Sequence, residues 1–317
     1  MSVVINPLWP DAQWDVSGAF VSDRELLAFY DFCHLLLGFK PFSMVHGAPL
    51  FKWNSGRVHQ RFLRSAEEIR AAGLEYEKRN IPVYLTFSNT LLQEEHLQDK
   101  RGNAVCSFFS RHNPTGRNAV ILSSDILRQH LRREFPTLRL VSSILKITTM
   151  GGKGKLSVYQ QQAEKYDEVM VHPDDVLNLP LLEKLPDKER YILLVNEYCI
   201  RNCPLRPWHY KDLSETALDF LGYEGEEFAA KQATNGCMNI HTLLADEHKS
   251  VLCLNTPEMQ QLYDMGFRHF KVQGRGNANA FALLSDFMRL IWRRDAAHEN
   301  TMHSLSQRFW EILPPYP

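Results

Sequence analysis

The sequence predicts an α/β protein, a single-domain (β/α)8 barrel with loop insertions, and three observations carry that prediction. Short runs rich in β-branched and aromatic residues recur along the chain, and eight can be counted. Most are followed by a helical pattern, and strands alternating with helices imply right-handed βαβ units in a parallel sheet. The length of 317 residues suits one such barrel. The competing fold is an open doubly wound sheet. When that fold binds a nucleotide, a glycine-rich turn follows its first strand. Here that position reads "VHGAPLFKWNSGR", which lacks the fingerprint.

The elements follow in order. "FSMVHG" (42–47) is the first expected strand. "SAEEIRAAGLEYEKRN" (65–80) is a helix, with Ser65 as N-cap and Glu68 completing a capping box. "PVYLTFSN" (82–89) is the second strand. "AVILSS" (119–124) and "LRLVSSI" (138–144) are the third and fourth, the third leading into "DILRQHLRREFP". "DEVMVHPD" (167–174) and "YILLVNE" (191–197) are the fifth and sixth. "SVLCLNT" (250–256) is the seventh, leading into "PEMQQLYDMG" with Pro257 in a first turn. "HFKVQGR" (269–275) is the eighth. Residues 90–118 and 211–249 read as insertions on loops that follow strands, which form the active face of a barrel. The expected domain is the whole chain, 1–317, with a barrel core over about 40–295. An N-terminal helical segment and a C-terminal tail pack on it.

Composition bounds the function. The apolar fraction is 44% and the charged fraction 23%, ordinary for a globular domain with a sizeable core. The net charge of −1 gives no support for non-specific nucleic-acid binding. The start "MSVVINPLWPDAQW" lacks the pattern of a signal peptide. No apolar stretch reaches the ~18 residues of a membrane span. The expectation is a cytoplasmic protein without membrane association, whose thiols stay reduced.

The six cysteines (33, 106, 199, 203, 237, 253) are then core thiols, metal ligands or catalytic groups. Cys33 sits in the apolar helix "LLAFYDFCHLLLGF" and reads as packing, while Cys106 is uninformative. Cys199 and Cys203 lie four positions apart, directly after the sixth strand, in "EYCIRNCPLRPWHY". On a helix or tight loop this spacing puts both sulfurs on one side. Cys237 falls in "TNGCMN", and Cys253 within "SVLCLN". Three or four thiolates from one quadrant of a barrel mouth can hold zinc or an iron–sulfur cluster. A four-ligand count and the short C-x3-C spacing favour zinc. A single close pair with distant partners, and Pro204 after a cysteine, favour iron and sulfide. Three cysteines in one short loop, the radical-SAM pattern, are absent. The bland reading is that cysteine is often simply buried, and Cys253 alternates with apolar neighbours.

These residues resemble the collagenase-like peptidase U-32 family, as a distant relative over roughly residues 40–295. "DEVMVHPDDVLNL" with "YILLVNEYCIRNC" is similar to two family strands that run into a cysteine-bearing loop. "TNGC" falls where the family places further cysteines. "NTPEMQQLYDMGFRHFKVQGRGNANAF" resembles the helix, glycine, strand and Gly-Arg element that close the family's barrel. The resemblance implies a 4Fe–4S cluster on Cys199, Cys203 and Cys237, with Cys253 as a weaker candidate. It also implies oxygen-independent hydroxylation or modification of a small molecule or an RNA base, and a heteromeric partner protein for some members. Three departures stand out: Gln273 replaces the usual Glu, Asn196-Glu197-Tyr198 replace His-Gly, and Cys237 stands alone where the family has a close pair.

Other residues complete the candidate site. Arg201 and Arg206 flank the cysteine pair as sulfide donors or anion clamps, against solvated surface charge. His209 is a candidate ligand or acid–base group, against a helix-capping role. Gly274, Arg275 and Gly276 follow the last strand, where barrels bind phosphate, against a plain tight turn. His46, Arg57 and Asn89 could line the pocket by position alone. "MGGKGKLS" (150–157) lacks P-loop spacing and reads as a mobile loop over an anionic substrate. No Ser-His-Asp order and no H-E-x-x-H is visible. The leading expectation is therefore an iron–sulfur enzyme or enzyme subunit. The alternatives are a zinc-containing or metal-free barrel acting as a scaffold subunit, and a peptidase.

Overall fold

A computed structural model describes residues 8–36, 38–49, 51–55, 64–218, 251–274, 307 and 311. The barrel strands are β1 (Gln13–Ser17), β2 (Met44–Gly47), β3 (Val83–Phe87), β4 (Ala119–Leu122), β5 (Arg139–Ser142), β6 (Glu168–Met170) and β7 (Tyr191–Leu194). Two short strands then leave the barrel, β8 (Asn196–Ile200) and β9 (Val251–Cys253), before β10 (His269–Val272) returns to it. Eight strands close in the order β1-β10-β7-β6-β5-β4-β3-β2, every neighbouring pair parallel. The expected (β/α)8 class is the observed one.

Two strand assignments need correction. The expected first strand is β2. The true first strand is β1, "QWDVS", so the barrel begins at residue 13 and not near residue 40. The expected seventh strand is β9, which pairs antiparallel with β8 outside the barrel. Its place in the barrel count belongs to β1. The pattern of a short apolar run gives the strand but not its partner.

The helices lie between the strands: α1 (Asp23–Asp31), α2 (Ala66–Lys78), α3 (Lys100–Arg111), α4 (Asp125–Glu134), α5 (Ile144–Thr149), α6 (Leu156–Lys165), α7 (Leu179–Leu182), α8 (Arg206–Leu218) and α9 (Thr256–Asp264). Their starts follow from local chemistry. Ser65 Oγ accepts from Glu68 N at 3.1 Å and Glu68 returns a bond to Ser65 N, so the predicted capping box is present. Asn255 and Glu258 repeat it at α9, with Pro257 in the first turn. Residues 90–118 are not an insertion, because they hold α3, the ordinary crossover between β3 and β4. Cys33 and Cys106 are wholly buried, and burial pushes both thiols up in pKa, so they are inert packing groups. No helix among the described residues is long and apolar enough to cross a membrane.

The rim is fixed by close backbone approach. Gly18 N and Ala19 N both donate to His46 O, which pins the turn after β1 onto the end of β2. A Cβ at Gly47 would collide with the Ala19 carbonyl. Gly47→Ala is therefore expected to destabilise by about 1–3 kcal/mol. Ser65→Ala, which removes one cap, should cost about 1 kcal/mol. Urea midpoints of the two variants against the wild type check the ranking.

Candidate functional site

The inward-facing side chains of this barrel are charged where branched apolar residues are usual. Alternation along each strand brings Asp15, Lys271 and His46 into one group from the adjacent strands β10, β1 and β2. Asp15 Oδ2 accepts from Lys271 Nζ at 2.9 Å, and Oδ1 accepts from His46 Nδ1 at 2.7 Å. All three are buried. Burial alone would raise the Asp15 carboxyl, but the His46 and Lys271 charges outweigh it and hold the group well below the carboxylate range. Burial lowers His46 and Lys271 despite their shared carboxylate.

A second group lies one pleat nearer the N-terminal ends of the strands. Glu168 accepts from Tyr84 Oη at 3.0 Å and pairs with Arg139 at 3.1 Å, with His269 Nδ1 at 3.8 Å. Arg117 donates to Gln13 beside them. Burial lowers the pKa of His269. These residues plug the end of the barrel away from the mouth.

At the C-terminal mouth the chain leaves β7 and runs up into the β8–β9 ribbon. Asn196 fastens the ribbon to the end of β10, donating to Gln273 O at 2.9 Å and accepting from Gln273 N at 2.7 Å. Cys199 lies on β8, half-buried, with its N–H on Glu197 Oε1 at 3.2 Å. Ile200 to Cys203 form a β-turn closed by Cys203 N to Ile200 O at 3.3 Å, with Asn202 at φ 56°. Asparagine tolerates that left-handed position, which is why the turn carries it. Cys203 is half-buried at the end of this turn. The C-x3-C spacing therefore comes from a strand and a turn, not a helix.

Arg206 opens α8 and is 3% exposed. Its Nη2 donates to Ile200 O at 2.9 Å and faces Asp174 Oδ1 at 3.5 Å. Among the described residues Nε and Nη1 find no hydrogen-bond partner. Desolvation pulls its pKa down, but Tyr210, Cys199, Asp174 and Glu197 around it outweigh this. His172 is driven down to about 4, first by desolvation and then by the Arg206 charge. The far end of α8 reaches the β3 side of the mouth, where Asn89 Nδ2 donates to Ser214 O at 3.1 Å. The helix thus borders the β3–β6 side, opposite the Asp15 group.

The predicted site residues divide accordingly. Arg206 lies within charge range of Cys199, and its backbone N–H donates to Cys203 O at 3.3 Å. Arg201 occupies the turn between the cysteines. His209 is half-buried within α8, not at its cap. Cys253 is exposed on β9, opposite Asn196 in register. Cys237, Arg57, Arg275 and Gly276 lie outside the described residues. Gly274 follows β10, where the preceding N–H is already committed to Asn196. Asn89 is a staple between loops, since its amide donates to Lys52, Asn54 and Ser214 carbonyls and accepts from Leu91 N. The 150–157 loop is tied down: Lys153 donates to Asn202 at 2.9 Å and Gly154 N to Asp175 at 2.8 Å. Asp15, Lys271, Asp174 and Glu197 were not singled out from sequence. A charge flanked by buried apolar neighbours in a short strand, as in "WDV" and "FKV", is the signal that finds the first two.

The donor set tests the expected metal. Cys199 lies on β8 and Cys203 closes the turn that follows, with the buried Arg206 guanidinium near Cys199. Among the described residues no group of three or more His, Cys, Asp or Glu side chains is placed to hold a metal ion. Among the described residues there is accordingly no complete coordination sphere.

No family model matches the sequence, and no curated protein matches it. The solved structure of the U32 peptidase Mk0906 is similar to this chain. It is 12% identical, with a TM-score of 0.49, and the match covers 74% of this chain and 86% of that one.

Burial sets the acid sensitivity of the fold. His46, His172 and His269 all have folded pKa values below the usual 6.5, so the unfolded chain takes up protons first. Stability is full above that value and falls as pH drops from 6.5, at His172 down to about 4. Unfolding free energies from denaturant curves at pH 7 and pH 5 should differ by roughly 2–4 kcal/mol, lower at pH 5. Lys271→Met should cost about 3–5 kcal/mol at pH 7, because it strips a buried carboxylate of its cation.

Proposed function

We propose that this chain is an iron–sulfur protein of the U-32 type, an enzyme or enzyme subunit whose cluster is held by Cys199, Cys203 and Cys237. The reading rests on one observation above all. Cys199 and Cys203 bracket a single turn at the C-terminal mouth, beside the buried Arg206, whose Nε and Nη1 find no partner among the described residues. An arginine with uncommitted N–H groups beside two thiolates stabilises their charge and can donate to sulfide. A third ligand comes from Cys237 by the family resemblance. Cys253 is the weaker candidate, since it stands exposed on the ribbon.

Bound there, a cluster supplies one-electron transfer or an open iron site. The chain's own residues frame the cysteine turn. Asp174 and Glu197 balance the Arg206 charge, and Lys153 locks the turn through Asn202. The reaction class that the resemblance carries is oxygen-independent hydroxylation or modification of a small molecule or RNA base in a cytoplasmic setting. The zinc scaffold and the peptidase are the competing outcomes.

Iron, acid-labile sulfide and the visible spectrum, measured on protein purified without oxygen, test this. Stoichiometric iron and sulfide in the wild type, lost in Cys199→Ala/Cys203→Ala and in Cys237→Ala, are expected. Colourless protein without iron after anaerobic reconstitution overturns the reading. Zinc in its place supports the scaffold.

A further inference from the structure

The cysteine turn leaves the charged group on the opposite side of the barrel without a role. Asp15, His46 and Lys271 are costly to bury, and strand pairing by itself does not require charged side chains there. A carboxylate taken out of water carries a penalty of several kcal/mol that well-packed apolar residues would avoid. Their arrangement is also directional. His46 lies at the mouth end of the group, as the penultimate residue of β2 before Gly47. Its Nδ1–H is committed to Asp15 at 2.7 Å, which fixes the tautomer and leaves the lone pair on Nε2. The described residues place no hydrogen bond on Nε2, and 11% of the side chain remains accessible. Asp15 is in turn held by Lys271 at 2.9 Å.

We propose that His46, Asp15 and Lys271 form a proton-transfer centre in the barrel mouth, with His46 Nε2 as the general base. Asp15 is the positioning residue for His46, and Lys271 holds Asp15. The centre is a site separate from the cysteine turn, and it stands whether or not that turn carries a metal. Its charge selects the substrate class. With His46 neutral, Asp15 and Lys271 sum to zero. When Nε2 takes a proton, the group becomes net positive. A neutral weak acid, an O–H or a C–H beside a carbonyl, is the matching partner, because its conjugate base is the anion the site then favours. The proton passes from substrate to Nε2, and the electron pair of the broken bond stays on the substrate atom. The reverse transfer restores both. No oxidant or reductant is required. The groups that face His46 are Asp15 on β1 and Lys271 and His269 on β10. They come from both strands that complete this side of the barrel.

Diethyl pyrocarbonate is the probe, because it acylates an accessible neutral imidazole nitrogen. Modified peptides of the full chain are mapped by mass spectrometry, with the more exposed His112 as internal standard. His46 should be acylated at a rate comparable to His112, while the buried His269 stays unmodified. Asp15→Asn should slow His46 severalfold relative to His112, because the ring loses the carboxylate that raises its basicity. A His46 left intact when His112 is fully modified overturns the proposal, as does an unchanged ratio in Asp15→Asn. Should that variant fail to fold, the nitrogen chemical shifts of the wild-type His46 ring decide. A protonated Nδ1 with a bare Nε2 supports the centre, and a protonated Nε2 at neutral pH overturns it.

Discussion

The barrel closes only because its first and last strands meet, and their seam is where the chain buries a full carboxylate–ammonium pair. β1 and β10 pair in parallel from Gln13 with His269 to Val16 with Val272. Asp15 and Lys271 stand opposite each other in that ladder, joined at 2.9 Å. Neither charge is tolerable alone in the barrel interior. The pair therefore couples register to closure: a one-residue slip would turn one charge outward and strand the other. His46, from the strand on the other side of β1, occupies the remaining oxygen of Asp15. Three consecutive strands around the barrel are thus held by one carboxylate.

At the mouth, two unlike groups stand on opposite sides of the barrel, and each forms one wall. One wall is the His46 group on β1, β2 and β10. The other is α8 with Arg206, Tyr210 and Ser214 on its buried side, four residues apart in each step. The helix is anchored at both ends. Arg206 bonds the Ile200 carbonyl and faces Asp174 after β6, and Ser214 meets Asn89 and Thr90 after β3. β8 and its cysteine turn run directly into this helix, so the position of Cys199 and Cys203 is tied to its anchoring. A proton-handling wall and a thiol-bearing wall suit chemistry in which protons and electrons move at different places on one substrate.

Much of this was legible in the sequence, and the misses have physical causes. The helices announce themselves through caps at Ser65 and Asn255 and through Pro257, since those are local signals. The strands β2 to β7 are apolar runs bounded by turn residues. β1 escaped because "QWDVS" carries a glutamine and an aspartate in five residues, and an inward-facing charge reads as loop until its partner is known. β9 was a strand in the pattern, but pairing is not local, and its antiparallel partner β8 could not be read from composition. The cysteine turn was visible by spacing. The Asp15 group was not, because its outer members stand at opposite ends of the chain and only closure brings them together. His46 was named from its place at a strand end, while its commitment to Asp15 required the fold.

The depth of the charged interior argues against a purely structural account of it. The N-terminal plug of Glu168, Tyr84, Arg139 and His269 and the upper group of Asp15, His46 and Lys271 occupy successive inward positions. A structural plug needs every polar atom satisfied, because each orphan costs about 1–3 kcal/mol. Among the described residues His269 Nε2 has no partner, and neither does Ser17 Oγ at the mouth end of β1. Those atoms sit on the same two strands that form the seam, one below the Asp15 group and one above it. A barrel optimised for stability alone would fill these positions with valine or isoleucine.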